Sequence, residues 1–145
     1  MMRISSLSIV TGLALAACGG DSTGPKDVFP EAKGVYEVNG SFDGISTSDA
    51  HFSGALTLTQ ISRETGTLGG SAAYTVIIGT QSYDFTEDSL SAATVSANGV
   101  VTYTMGEGGS TWTFTGTLSG PSIVDGHHTL SESSGSVSGA WTATR

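Results

Sequence analysis

At 145 residues the chain has room for one domain, and 13 acidic residues against five basic ones give a formal net charge of −8 at pH 7. That balance excludes nucleic acid as a partner, because such binding rests on Lys and Arg meeting phosphates, and it excludes a polybasic hold on anionic lipid. Cys18 is the only cysteine, so no intramolecular disulfide can form.

The first 17 residues have the composition of an export signal and stand apart from the fold. Arg3 supplies a positive start, Ile4 to Leu15 form an apolar run, and Ala16 and Ala17 are small residues suited to cleavage. The apolar run is too short for a permanent transmembrane helix, which needs about 20 residues. Leu15-Ala16-Ala17-Cys18 resembles the bacterial lipobox. The resemblance covers the leader and cleavage site, and it implies cleavage before Cys18 and a diacylglyceryl group on the Cys18 thiol. A thiol is the most nucleophilic neutral side chain for such an alkylation, and two or more acyl chains give stable anchoring. Removing Arg3 with the leader leaves four basic residues against 13 acidic ones, a formal charge of −9. The expected address is the bacterial cell envelope, lipid-anchored to a membrane. Gly19, in place of an inner-membrane-retaining Asp, favours the outer membrane over the inner one.

Residues 18–33 read as a flexible tether: Gly19-Gly20-Asp21-Ser22-Thr23-Gly24-Pro25 is small and polar, and Pro30 continues the broken texture. From Gly34 to the end, residues 34–145, period-two alternation of Val, Tyr, Phe, Trp and Thr between Gly, Asn and Asp punctuation predicts about eight strands. The first covers Val35 to Phe42, with Tyr36, Val38 and Phe42 on one face. The second, Phe52 to Ile61, groups Phe52, Leu56 and Leu58. The third, Thr67 to Ile78, groups Leu68, Ala72, Tyr74, Val76 and Ile78. Tyr83 and Phe85 mark the fourth, and Leu90 to Val95 extend it past a bend. Asn98-Gly99 predicts a two-residue hairpin, since both residues tolerate positive φ. Val101, Tyr103 and Met105 alternate on the fifth strand. Trp112, Phe114, Gly116 and Leu118 line the sixth, with threonines outside. Ile123 to Leu130 make a weaker seventh, and Val137 to Ala143 the last.

The phrase apolar-x-Gly-x-apolar occurs at Phe52–Leu56, Phe114–Leu118 and Val137–Trp141. Glycine weakens a strand, so its recurrence marks places where the sheet bends sharply or packs closely, as closing a barrel requires. The expected fold is all-β, a small antiparallel up-and-down barrel of about eight strands, with a β-sandwich as the alternative. In architecture the pattern resembles the small calycin and avidin-like barrels. Those open with Gly-x-Trp and place an Arg near the end of the last strand; here Gly34-Val35-Tyr36 and Arg145 stand at those points. The resemblance carries over no ligand-binding residue.

Candidate chemistry is sparse. His127-His128, with Asp125 before and Glu132 after, is the most metal-like group, but neighbours on a strand face opposite ways, so it reads as a solvated, polar hairpin arm. His51 reads as loop surface. Ser122, His127 and Asp125 could form a Ser-His-Asp set only if the fold gathered them. Gly106 to Gly109 is a turn, not a phosphate cradle, because it opens a strand and holds Glu107. Asp84, Glu87 and Asp88 read as an acidic bend, and Asn39-Gly40-Ser41 as an accidental glycosylation triplet. No cofactor pattern or metal site is expected, and no enzymatic activity. Tyr36, Tyr103, Trp112 and Trp141 form either an apolar core or the lining of a pocket. The functional expectation is an anchored, non-catalytic binding or interaction module for a protein partner or a small apolar ligand. The alternative is a proteinaceous inhibitor that plugs a hydrolase with Ser46-Thr47-Ser48 or the Gly106–Gly109 turn.

Overall fold

The computed structural model describes residues 28–47 and 49–145; the leader, Cys18 and Ser48 lie outside the described residues. The chain is all-β, with nine strands: β1 Gly34–Ser41, β2 Ala50–Ser62, β3 Thr67–Ile78, β4 Gln81–Glu87, β5 Ser91–Val95, β6 Val100–Glu107, β7 Ser110–Ser119, β8 Ser122–Glu132 and β9 Gly135–Thr144. Each strand exists because β-branched and aromatic residues alternate with polar ones, which suits a surface buried on one side only. On β7, Trp112, Phe114 and Gly116 are buried while Thr111 and Thr115 face water.

All pairings are antiparallel. β1 pairs with β2, β2 with β3, and β5 through β9 pair in sequence. β9 returns to β1, placing Gly40 opposite Trp141 and Val38 opposite Ala143. Eight strands therefore close into a barrel, and the sandwich alternative is set aside. The ninth strand, β4, stands outside the ring. It pairs only with the second half of β3, from Ala72↔Glu87 to Ile78↔Gln81. β5 takes over the first half of the same β3 edge through Thr67↔Thr94, helped by Leu90 N–H donating to the Gly70 carbonyl at 2.9 Å. Strands β4 and β5 are thus two parts of one bent strand, as the sequence implies, and only the second part reaches β6.

The recurrent glycines stand at close approaches. A Cβ at Gly139 would overlap the Ser41 carbonyl oxygen on β1, where the barrel closes, and a Cβ at Gly116 would crowd Ile123 and Trp141. Two local expectations need correction. The β5–β6 connection is a four-residue loop, Ser96 to Gly99, rather than a two-residue turn. Only Gly99 has positive φ there, and Ser96 supports the loop by accepting from Val100 N–H through its Oγ at 3.0 Å. Phe42 lies just past β1, yet it is buried as expected.

The barrel has two unlike ends. At one, residues 28–33, which the sequence assigns to the tether, run across the strand ends and shut them. Ala32 is fully buried, its N–H donates to Gln60 Oε1 at 3.0 Å, and its carbonyl accepts from Tyr36 Oη at 2.8 Å. Arg145 lies over the Tyr36 ring at 5.4 Å and donates to the Lys33 carbonyl at 2.7 Å. The other end carries the loop after β1, the β3–β4 turn and the β8–β9 turn.

Candidate binding site at the open end

The four aromatic residues singled out in the sequence are core. Tyr36, Tyr103, Trp112 and Trp141 are all buried, and the space among the last three is filled by Phe114. Its ring stacks on Tyr103 at 4.7 Å, sits 4.8 Å from Trp112 and meets Trp141 edge-on at 5.6 Å. Polar atoms are satisfied inside this cluster. The Tyr74 and Tyr103 hydroxyls share a hydrogen bond of 2.7 Å, and burial pushes both phenols well above the ordinary tyrosine range. Trp141 Nε1–H donates to the Thr115 and His127 carbonyls, each at 3.1 Å, across an irregularity in β8.

The two histidines divide as strand geometry demands, but only one is solvated. His127 is exposed; His128 is 1% exposed, and its description as part of a polar arm is corrected. It lies among Phe42, Phe52 and Trp112. Trp112 Nε1–H donates to His128 Nδ1 at 3.0 Å, and His128 Nε2 lies 2.7 Å from the Ser41 carbonyl oxygen. The two partners select the neutral ring with its proton on Nε2. Burial lowers the His128 pKa, partly opposed by the Ser41 contact. The signal was available: His128 has the same strand parity as Leu130, which points inward.

The other candidate chemistry stays dispersed. Ser122 and His127 are five positions apart on β8, roughly 15 Å along a strand. Ser122 Oγ instead meets Thr144 Oγ1 at 3.4 Å, and Asp125 sits exposed at φ 51°. Asp84 accepts from Thr75 Oγ1 at 2.8 Å and Glu87 from Gly106 N–H at 3.2 Å, so the acidic bend ties β4 to its neighbours.

An apolar groove of about 200 Å³ opens instead at the unsealed end. Phe42 and Ile45 form one wall, Val76, Ile78, Tyr83 and Phe85 the second, and Leu130 and Val137 the third, with Glu132 on the rim. It connects with the core through Phe85, whose ring meets Trp112 at 5.5 Å. Sequence reasoning placed Ile78 with Val76 on the third strand and Tyr83 with Phe85 on the fourth, but missed the groove they share because Ile45 sits in a polar loop, where a single apolar residue carries no periodicity. Charge follows the same axis. Among the described residues the three Lys and Arg, Lys33, Arg63 and Arg145, all lie at the sealed end, whereas Asp43, Asp49, Asp84, Glu87 and Glu132 lie toward the groove. No protein-family model, no curated protein and no solved structure matches this chain.

Proposed function

We propose that this chain is a bacterial envelope lipoprotein, held by a diacylglyceryl group on Cys18, whose barrel is a non-catalytic binding module working through its open end. The observation that carries the reading is the contrast between ends. The end sealed by residues 28–33 is the one the tether enters, and the end with the apolar groove is the opposite one. A barrel whose interior is filled by Phe114 and its neighbours has little room for a ligand within, so recognition falls to the rim. The volume of about 200 Å³ is below the usual 300–1,000 Å³ of drug-sized sites and suits a few anchoring side chains of a protein partner. The Arg145–Tyr36 contact supports the architectural likeness to calycin-type barrels, and Gly19 after Cys18 supports the outer membrane as the destination.

Alkyne-palmitate labelling in the native host, followed by intact mass measurement, tests the anchor. Label incorporated by the parent and lost in Cys18→Ala supports it; an unlabelled parent released to the medium with a free thiol overturns it. A photocrosslinking residue at Tyr83, compared with one at Val35 on the barrel wall, tests the working end. Defined adducts only from Tyr83 are expected, and adducts only from Val35 would reverse the assignment.

A further inference from the structure

Strand β4 combines an edge without a main-chain partner with an inward aromatic side chain, Tyr83, that is left half exposed. It ends the strand order, its main chain paired with β3 alone, while the Glu87 carboxylate at its foot accepts from Gly106 N–H on β6. Tyr83 stands opposite Val76 and Phe85 opposite Tyr74, so both aromatics face the barrel side. Yet Tyr83 is 45% exposed while Val76 is buried. A large aromatic side chain on the inward face of a strand is left in water here because the wall beyond β4 is missing at this height. Asp84, between them, faces the outer surface with Thr75.

These features define one complementary shape. A strand added along β4 takes main-chain hydrogen bonds from the free edge and projects alternate side chains to the two faces. Residues opposite Tyr83 and Phe85 enter the apolar groove; the residue between them lies opposite Asp84 on the outer face. Opposite charges favour each other across such a pair, and like charges oppose it. Glu132 on the rim and Glu87 at the foot of the strand add to the same field, and no described Lys or Arg lies at this end to offset them. A second copy of this chain is disfavoured, since antiparallel pairing of two β4 edges brings Asp84 toward Asp84.

We infer that β4 and the groove beside it bind an extended segment of a basic partner protein, an apolar–basic–apolar stretch that pairs with the Gln81–Glu87 edge and seats its apolar side chains over Tyr83 and Phe85. The inference rests on the anchored-module reading and names the chemistry of its partner.

The test uses the full-length chain purified from its own envelope in maltoside micelles. The probe is the labelled peptide acetyl-Lys-Val-Lys-Leu-Lys-Val-Lys-amide. Its controls are the same peptide with Glu for Lys and a fully N-methylated version. Saturable binding of the basic peptide is expected, with slower amide exchange in Gln81–Glu87 and not in β1 or β9. Asp84→Lys and Glu132→Lys should each weaken binding roughly five- to tenfold, and backbone methylation should abolish it. Equal binding of the acidic peptide, indifference to methylation, protection outside β4, or a dimer formed through β4 in sedimentation would each overturn the inference. Intact mass on the same preparation separates the two levels. A lipidated protein that ignores the peptide sinks this inference alone, and an unlipidated one sinks the anchored-module reading whatever the peptide does.

Discussion

Replacing His128 by Phe keeps a flat ring among Phe42, Phe52 and Trp112 but removes both of its hydrogen bonds. The Trp112 indole N–H and the Ser41 carbonyl, which now meet His128 at 3.0 and 2.7 Å, lose this buried partner. An orphaned buried polar group costs about 1–3 kcal/mol, so the two together cost about 2–6. Additional apolar ring surface returns about 1 kcal/mol. The net expectation is a loss of about 1–5 kcal/mol, read as a lower urea midpoint at pH 7.5 with an unchanged slope. Acid supplies the second arm. Protonation would put a second donor on Nδ1, facing the Trp112 N–H, and burial already lowers the His128 pKa. Because the folded pKa lies below the unfolded value near 6.5, the unfolded chain takes up the proton first. The His128 contribution is complete above about pH 6.5 and falls as pH drops from there toward the folded pKa. By pH 5.5 one histidine accounts for at most about 1.4 kcal/mol. His128→Phe should lack this component of the pH dependence between 7.5 and 5.5. A wild-type stability that rises over that interval, or a variant that keeps the full dependence, would refute the assignment of a neutral, doubly bonded imidazole.

Substitutions at three further positions probe the fold by thermal or urea unfolding. Phe114→Ala empties the space among Tyr103, Trp112 and Trp141 and should cost about 3–5 kcal/mol. Gly139→Ala places a methyl against the Ser41 carbonyl at the β1–β9 closure and should cost at least about 1–3 kcal/mol through backbone displacement; a neutral result would mean that the seam is loose. Asp125 holds φ at 51°, so Asp125→Gly should be neutral or slightly stabilising, whereas Asp125→Val should lose about 1–2 kcal/mol.

The ring of strands was legible because its signal is periodic. Trp112-x-Phe114-x-Gly116 and Val101-x-Tyr103-x-Met105 state their inward faces without help from the rest of the chain, and Thr67–Ile78 matches its predicted bounds. Closure was legible more indirectly, from glycines whose missing side chains admit the Ser41 carbonyl and Trp141. What periodicity does not encode is where a strand departs from its neighbour. The bend at Asp88-Ser89 is visible, but the splaying of β4 from β6 depends on long-range geometry. The groove depends on that splaying, so Ile78 and Tyr83 were legible as strand positions but not as a shared wall, and Ile45 looked like an isolated apolar position. His128 misled for another reason: residue identity outweighed parity, and a buried imidazole needs two specific partners, Trp112 and Ser41, 16 and 87 positions away.

The unlike ends follow from where the chain enters and leaves. Both the segment preceding β1 and the last residue, Arg145, fall at the same end, because an even number of antiparallel strands in the ring returns the chain to its starting side. That end has spare backbone and a terminal guanidinium to close it, through Ala32, Tyr36 and the Lys33 carbonyl. Among the described residues the far end has the loop after β1 and short turns, and the turn after β3 sends Gln81 and Tyr83 back along β3 before the ring reaches β6. An open mouth is therefore a consequence of chain topology. If Cys18 carries lipid, the steps from Cys18 to Val28 reach at most about 35 Å when extended, and they leave from the sealed side. Such an attachment favours turning the acidic groove away from the bilayer, the orientation in which a basic segment from solvent meets it without crossing the anionic headgroups. Lengthening the tether by a flexible insert after Gly24 should then leave peptide affinity unchanged, whereas a groove that faced the membrane would become easier to reach as the spacer grew.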